Sequence, residues 1–190
     1  AESPYGNTKK ICEDILVDYV KSQPGIRVIS LRYFNPVGAH PSAKIGELPL
    51  GVPQNLVPFI TQTAAGFREK LTVFGNDYDT ADGSCVRDYI HVMDLADAHV
   101  KALDFLKNQK NNFYEVFNVG SGEGNTVLEV IQTFEQVNNL KLNYVIGPRR
   151  PGDVVKTWAD TSKINKVLGW SPKYTLEDSM RDSWRWQQTL

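Results

Sequence analysis

Residues 3–34 read SPYGNTKKICEDILVDYVKSQPGIRVISLRYF, and this stretch decides the fold class. Cys12, Ile15, Leu16, Tyr19 and Val20 recur at the i, i+3, i+4, i+7, i+8 spacing that lines one face of an α-helix, and the run from Ser22 through Pro24 and Gly25 stops it. Residues 26–34 are largely apolar and β-branched, the composition of a buried strand. Helix followed at once by buried strand is an α/β unit. A chain that opens directly into helical sequence is also expected to be the later part of something longer.

Outward from that unit, residues 36–53 hold seven Pro or Gly in 18 positions with little periodicity, the composition of a long ordered loop that binds a ligand or marks a domain boundary. Beyond it the pattern predicts a helix over 55–67, a strand over 71–75 and a polar loop carrying Asp77, Asp79, Asp82 and Gly83. A strand over 86–92 follows, then a helix capped by Asp94 with Leu95, Ala98, His99, Ala102, Leu103 and Leu106 as its core stripe. Strands over 116–120 and 143–147 and helices over 126–137, 162–168 and 176–188 complete the reading, with no internal repeat.

Composition bounds the function. The 190 residues are 41% apolar and 23% charged, with 4 Trp, 8 Tyr and 8 Phe, which excludes a disordered or fibrous chain. Twenty-one Lys and Arg against 22 Asp and Glu create no global field toward nucleic acid or an anionic membrane, so a phosphate ligand must be met locally. Cys12 and Cys85 form neither a disulfide framework nor a metal cluster, which favours a reducing compartment, and the cytoplasm is expected. No apolar run approaches the roughly 18 residues of a spanning helix.

Tyr5 and Lys9 form a Y-x-x-x-K pair about one helical turn apart, on one face. An ammonium beside a phenol favours the phenolate, moving an ordinary pKa of about 10 toward neutrality and making the Tyr a usable acid/base. The same two residues would also suit an ordinary helix surface. What extends the pattern is SPYGNTK at 3–9, LRYFNPVGAHPS at 31–42, QNLVPFI at 54–60, LTVFGNDYDTADGSCVRDYIHVMDLADAHV at 71–100 and RRPGDV at 149–154. Together these resemble the UDP-glucose 4-epimerase family, a branch of the extended short-chain dehydrogenases/reductases, over essentially the whole chain but only for the family's later half.

The resemblance implies an epimerase that interconverts UDP-glucose and UDP-galactose through a 4-keto intermediate with bound NAD. Tyr5 would take the proton of the sugar 4-hydroxyl, and Lys9 would hold the nicotinamide ribose and lower the Tyr5 pKa. Tyr33, Phe34 and Pro36 would line the nicotinamide pocket. For the UDP-sugar substrate, Asn35 and Asn55 would hydrogen-bond sugar or phosphate, the Leu56 backbone would help at the diphosphate, and Thr72 and Phe74 would flank uracil. Arg87 and Arg150 would clamp the diphosphate and Asp153 the uridine ribose, as suits a near-neutral protein that meets two phosphates with guanidinium forks. Thr157 stands where the family places a gate beside the sugar 2-position, and a small residue there implies room for N-acetylhexosamines.

Other features read as structural. GSGEG at 120–124 spaces its glycines as G-x-G-x-G, with no acid about 20 residues on, and is expected to be a tight turn in the substrate domain. His40, His91 and His99 do not fall at metal-ligand spacing and no metal is expected; His99 belongs to the core stripe. Asp77, Asp79 and Asp82 lack the spacing and terminal Glu of a calcium loop. Trp184 and Trp186 cannot share a helix face, so one is expected to pack and the other to lie near the surface.

The expected architecture is α/β: residues 1–35 as the last helix and strand of a doubly wound, Rossmann-like NAD-binding domain, and 36–190 as a smaller mixed substrate domain. The resemblance implies a homodimer and an N-terminal NAD-binding half upstream, without which this polypeptide is expected to be inactive. Rival readings are a nucleotide-sugar 4,6-dehydratase or decarboxylase, whose dehydratase acids precede the Tyr where only Glu2 is visible, and a truncated, non-catalytic UDP-binding fragment.

Overall fold

The computed structural model describes residues 3–190; Ala1 and Glu2, the start of the expected 1–35 unit and the one visible acid, lie outside the described residues. Helix α1 (Pro4–Ser22) starts where Ser3, in extended backbone, accepts the Gly6 N–H on its Oγ at 3.0 Å, with Pro4 in the first turn. Gly25, at φ +84°, makes the turn into strand β1 (Arg27–Tyr33). There follow β2 (Asn35–Val37), α2 (Leu56–Ala64), β3 (Leu71–Phe74), β4 (Val86–Arg87), β5 (Tyr89–His91) and α3 (Val92–Lys107). The chain continues through β6 (Phe113–Val119), β7 (Asn125–Thr126), α4 (Val127–Asn138), β8 (Tyr144–Gly147), α5 (Ser162–Leu168) and α6 (Leu176–Gln187).

Three of the four strand pairs are parallel, so each is joined through intervening elements rather than a hairpin. β1 runs beside β6 from Arg27↔Phe113 to Tyr33↔Val119, β2 beside β5, and β3 beside β8, while β4 and β7 are antiparallel. One core cluster joins Val57 and Ile60 of α2, Leu71 and Val73 of β3, Val130, Ile131 and Phe134 of α4 and Met180 of α6. A second joins Ile90, Leu95, Ala98, Phe117, Val119, Ile164 and Trp170, and the Trp170 indole donates to the Asp94 carbonyl at 3.1 Å. The α/β class and its parallel pairing agree with the sequence reading.

Several local expectations change. β1 is not buried: its ends are exposed, and among the described residues its one ladder is with β6. The α1 stripe is helical as expected, yet Ile15 and Tyr19 are exposed and only Val20 is buried, because no element among the described residues covers that face. Residues 36 and 37, expected within the loop, instead join Asn35 in β2 and pair with β5. The expected 86–92 strand breaks at Asp88, whose side chain turns inward, and α2 ends at Ala64. His91, not Asp94, caps α3, its Nδ1 accepting the Met93 N–H at 3.0 Å. Asp94 instead accepts the backbone N–H groups of Lys173 and Tyr174, at 3.0 Å each, and pins the segment before α6. His99 and Leu103 point to solvent, so the stripe narrows to Leu95, Ala98 and Ala102. Trp184 packs edge-on against Phe134, and Trp186 lies half-buried near the surface, its indole N–H donating to the Glu47 carbonyl at 2.8 Å.

That Trp186 bond ties the 38–53 loop to α6, and Gly46 lies flat against the indole, where a Cβ would overlap the ring. Gly46→Ala is therefore expected to cost about 1–3 kcal/mol, read as a lower urea midpoint; an unchanged midpoint would contradict this packing.

His91 is buried, stacked on Tyr174 at 4.2 Å, with its Nε2 3.5 Å from Asp182 Oδ2. Burial pushes its pKa below the ordinary 6.5, only partly offset by Asp182 and Asp94. The unfolded chain therefore binds the proton first, so this contribution is complete above about pH 6.5 and is lost as pH falls through the lower folded value. Urea midpoints are expected to drop between pH 6.5 and 5 in the wild type and to flatten in His91→Gln; parallel profiles would contradict the assignment.

Candidate active site

Tyr5 and Lys9 stand on the first two turns of α1, with the Lys9 ammonium 5.0 Å from the Tyr5 ring centroid and the Tyr5 side chain 72% exposed. Their contact is with the ring face, not a hydrogen bond. Glu13 of the same helix is locked to Arg32 of β1 by a two-pronged pair at 2.7 and 2.5 Å, which holds the Glu13 carboxyl below its usual range. From Glu13 the helix rises about 1.5 Å per residue, so Lys9 and Tyr5 reach roughly 6 and 12 Å further along the axis. They stand past the carboxyl end of β1, where Tyr33 is 55% exposed and Phe34 and Pro36 are half-buried. Carboxyl ends of parallel strands are where open α/β sheets take ligands.

The second group gathers beyond the ends of β3 and β4. Phe74 closes β3, and the Arg150 guanidinium lies over its ring at 3.9 Å. Arg87 closes β4, donates to the Val154 carbonyl at 2.6 Å and faces the Asp153 carboxylate at 3.4 Å. Asp153 is brought round by a turn in which its N–H meets the Arg150 carbonyl at 3.3 Å. Four of the expected residues, from three stretches of the sequence, thus form one cluster of an aromatic face, two guanidinium groups and a carboxylate. Thr72, two residues before Phe74, points its methyl at Gly147 across the β3–β8 pair.

Asn35 and Thr157 both donate to backbone carbonyls of the segment 86–88. Asn35 gives both its N–H (3.1 Å) and its Nδ2 (2.9 Å) to the Asp88 carbonyl, leaving its Oδ1 as the free end of the amide. The Thr157 N–H donates to the Val86 carbonyl at 3.2 Å, and Val86 in turn donates to Val155 at 2.9 Å. Asn55 and Leu56 begin α2 at the other end of the long loop; Asn55 Nδ2 meets Glu47 at 3.0 Å instead of capping the helix, and the Leu56 side chain packs on the first core cluster. No hydrogen bond or ion pair among the described residues joins the Tyr5–Lys9 pair to the arginine cluster, so the connection between them is the backbone through Tyr33–Asn35 and 87–89.

Sequence reasoning passed over Asp88, which is 0% exposed and whose carboxylate is ringed by donors from the 120–124 turn and from Ala159. Its signal was present only as one acid between two strand-like residues. It also missed Tyr78, buried under Arg149, whose guanidinium sits 4.1 Å over the ring while burial pushes the phenol up. The glycine-rich turn behaves as expected: its Ser121 and Gly122 N–H groups are spent on Asp88, so they are not offered to a dinucleotide. Among the described residues no group of three or more His, Cys, Asp or Glu could hold a metal ion, and no helix is long and apolar enough to cross a membrane.

Comparison with known proteins follows the same lines. A family model described as GDP-mannose 4,6 dehydratase matches residues 1–183. A UDP-glucose 4-epimerase of Erwinia amylovora is 50% identical over 185 residues, which are 97% of this chain and 54% of that protein. The structure of UDP-glucose-4-epimerase from Stenotrophomonas maltophila, with bound NAD and formylated UDP-arabinopyranose, is similar with a TM-score of 0.93 at 48% identity, covering 98% of this chain and 55% of that one. That of UDP-glucose 4-epimerase from Bifidobacterium longum, in complex with NAD+ and UDP, has a TM-score of 0.92 at 44% identity, covering 98% and 55%. The chain spans about half the length of the curated relatives it matches. Matched by the family model from its first residue to Asp182 and beyond, the chain belongs to the GDP-mannose 4,6 dehydratase family, and its similar relatives are UDP-glucose 4-epimerases.

Proposed function

We propose that this chain supplies the acid/base pair and the UDP-sugar site of an NAD-dependent UDP-glucose 4-epimerase that interconverts UDP-glucose and UDP-galactose. The observation that carries the reading is the cluster at the ends of β3 and β4: Phe74 under Arg150, and Arg87 against Asp153. A nucleoside diphosphate needs one flat apolar face, one or two forked cations for the phosphates and an acceptor for ribose hydroxyls, and this cluster holds all three. The Arg150 guanidinium stands on the Phe74 ring, so base stacking there requires Arg150 to turn toward the phosphates. Thr72 bounds the same base, while Asn55 and the Leu56 N–H, at the open start of α2, face the diphosphate with a helix N-terminus. The free Oδ1 of Asn35 serves the sugar. Relatives named as epimerases favour this over the dehydratase that the family description carries, and over a decarboxylase.

The residues beyond β1 fit the nicotinamide end of NAD: Tyr33, Phe34 and Pro36 make an apolar, aromatic ledge at a strand's carboxyl end, and Lys9 and Tyr5 offer an ammonium and a phenol for ribose hydroxyls. NAD, when bound, supplies a hydride acceptor and donor at sugar C4. Tyr5 Oη holds the proton taken from the 4-hydroxyl as that carbon becomes a ketone, and Lys9 places positive charge beside the ring that carries it. Once the 4-keto sugar has turned over, the hydride returns from NAD to the other face of C4, and return of the Tyr5 proton to the 4-oxygen leaves the inverted epimer. No donor set for the dinucleotide phosphates is left free in the 120–124 turn, which supports an NAD-binding half outside these 190 residues. In this reading 1–35 belong to that domain and 36–190 to the substrate domain. The exposed face of α1 supports a homodimer, and the two unpaired cysteines a cytoplasmic site. The 190-residue polypeptide alone is expected to hold no dinucleotide and to be inactive.

In the complete protein, Tyr5→Phe is expected to lower kcat for UDP-galactose by about 10²- to 10⁴-fold with KM little changed. Arg87→Ala is expected to raise KM instead. A Tyr5→Phe enzyme at wild-type kcat would overturn the assignment. Thr157, half-buried and small, leaves room beside the sugar 2-position, so turnover of UDP-N-acetylglucosamine is expected and Thr157→Tyr should abolish it while sparing UDP-galactose. Good UDP-galactose turnover with none of UDP-N-acetylglucosamine in the wild type would contradict this role.

A further inference from the structure

We propose that Asp88 is the positioning residue for the sugar end of the site, its buried carboxylate fixing the segment that carries Thr157 against the strand that holds Asn35. The inference rests on the epimerase reading for the roles of Asn35 and Thr157, and on geometry for everything else. Asp88 interrupts the run between β4 and β5, which turns its side chain inward to complete burial. Oδ1 accepts the Ser121 N–H and Oγ–H, each at 2.7 Å, and Oδ2 accepts the N–H groups of Gly122 at 3.1 Å and Ala159 at 3.0 Å.

No cation lies among these partners. The charge is met by three backbone N–H groups and one hydroxyl, and only a carboxylate offers acceptors on both arms. An amide there would set its NH₂ against N–H groups and leave buried donors unpaired. The surroundings are shaped to the carboxylate as well: a Cβ on Gly120 would overlap Asp88 Oδ2 and the Ala159 methyl, and Gly122 takes φ +81°. One side chain therefore joins the turn after β6 to residue 159, two positions from Thr157. The Asp88 carbonyl accepts from both nitrogens of Asn35. Arg87 and Asp153 do not depend on it, since Arg87 is bonded to Val154 and Asp153 directly.

That separation gives the test its discrimination. Loss of the carboxylate should loosen the sugar end and leave the nucleotide cluster in place. In the complete protein, Asp88→Asn is expected to raise KM for UDP-galactose about tenfold, the effect of a buried donor left unpaired, with kcat within about threefold and the Kd for UDP within about threefold. Amide hydrogen exchange should accelerate in 119–124 and 155–160 and stay unchanged in α2 and α4. Ser121→Ala, which removes one of the four bonds, should move both readouts the same way by a smaller factor, and it decides the matter if Asp88→Asn does not fold. UDP and UDP-galactose weakened alike, or exchange unchanged in those two segments, would overturn the proposal. A wild type that binds no UDP would instead overturn the epimerase reading, and the exchange comparison alone would then decide whether Asp88 holds the two segments.

Discussion

The extended run 86–91 is the constraint on which the rest of the site depends. Its first residues pair with β7 on one side and take the 155–157 backbone on another, and its last three pair with β2. Two of these pairings bring in segments of the candidate site: Asn35 and Pro36 from the end of the first unit, and Asp153 to Thr157 from the region after β8. Arg87 sits on the run itself. A carboxylate buried at the break, met by three N–H groups and one hydroxyl, ties the run to the 120–124 turn and to Ala159. The price is a buried charge, and four donors offset it.

The α1–β1 unit has a different character. β1 has one ladder among the described residues, and the apolar stripe of α1 lies open, with Ile11, Ile15 and Tyr19 at successive turns. Sheets in α/β proteins are covered on both faces and continued on both edges where they are central. The 38–53 loop shows the same openness, Leu50 being 98% exposed although Trp186 anchors its middle. The chain spans about half the length of its relatives, and the Tyr5–Lys9 pair stands on the open α1 helix.

Much of this was legible in the sequence wherever the signal was local. The 3.6 period of α1 and the apolar run of β1 each announce their element, since period and composition are properties of a few neighbours. Burial was not legible, because the stripe on α1 and the composition of β1 describe a face suited to burial without saying what covers it. Asp94 shows the limit of cap reasoning: it is an acid near a helix start, but His91 lies nearer the true boundary and Asp94 finds its partners 79 and 80 residues away. The candidate site divides in the same way. Tyr5 and Lys9 follow from helical spacing, and the roles of Phe74, Arg87, Arg150 and Asp153 from motif resemblance. Asp88 was invisible, because its partners come from two segments that only the fold brings together.

The central claim is that the cluster of Phe74, Arg150, Arg87 and Asp153 receives a nucleoside diphosphate. A crystal structure of the complete protein soaked with UDP tests it most directly. The account predicts the uracil beside Phe74, the Arg150 guanidinium moved from that ring to the phosphates, Arg87 on the same phosphates and Asp153 on the ribose. UDP bound elsewhere, or Arg150 still lying on Phe74 with the nucleotide in place, would contradict it.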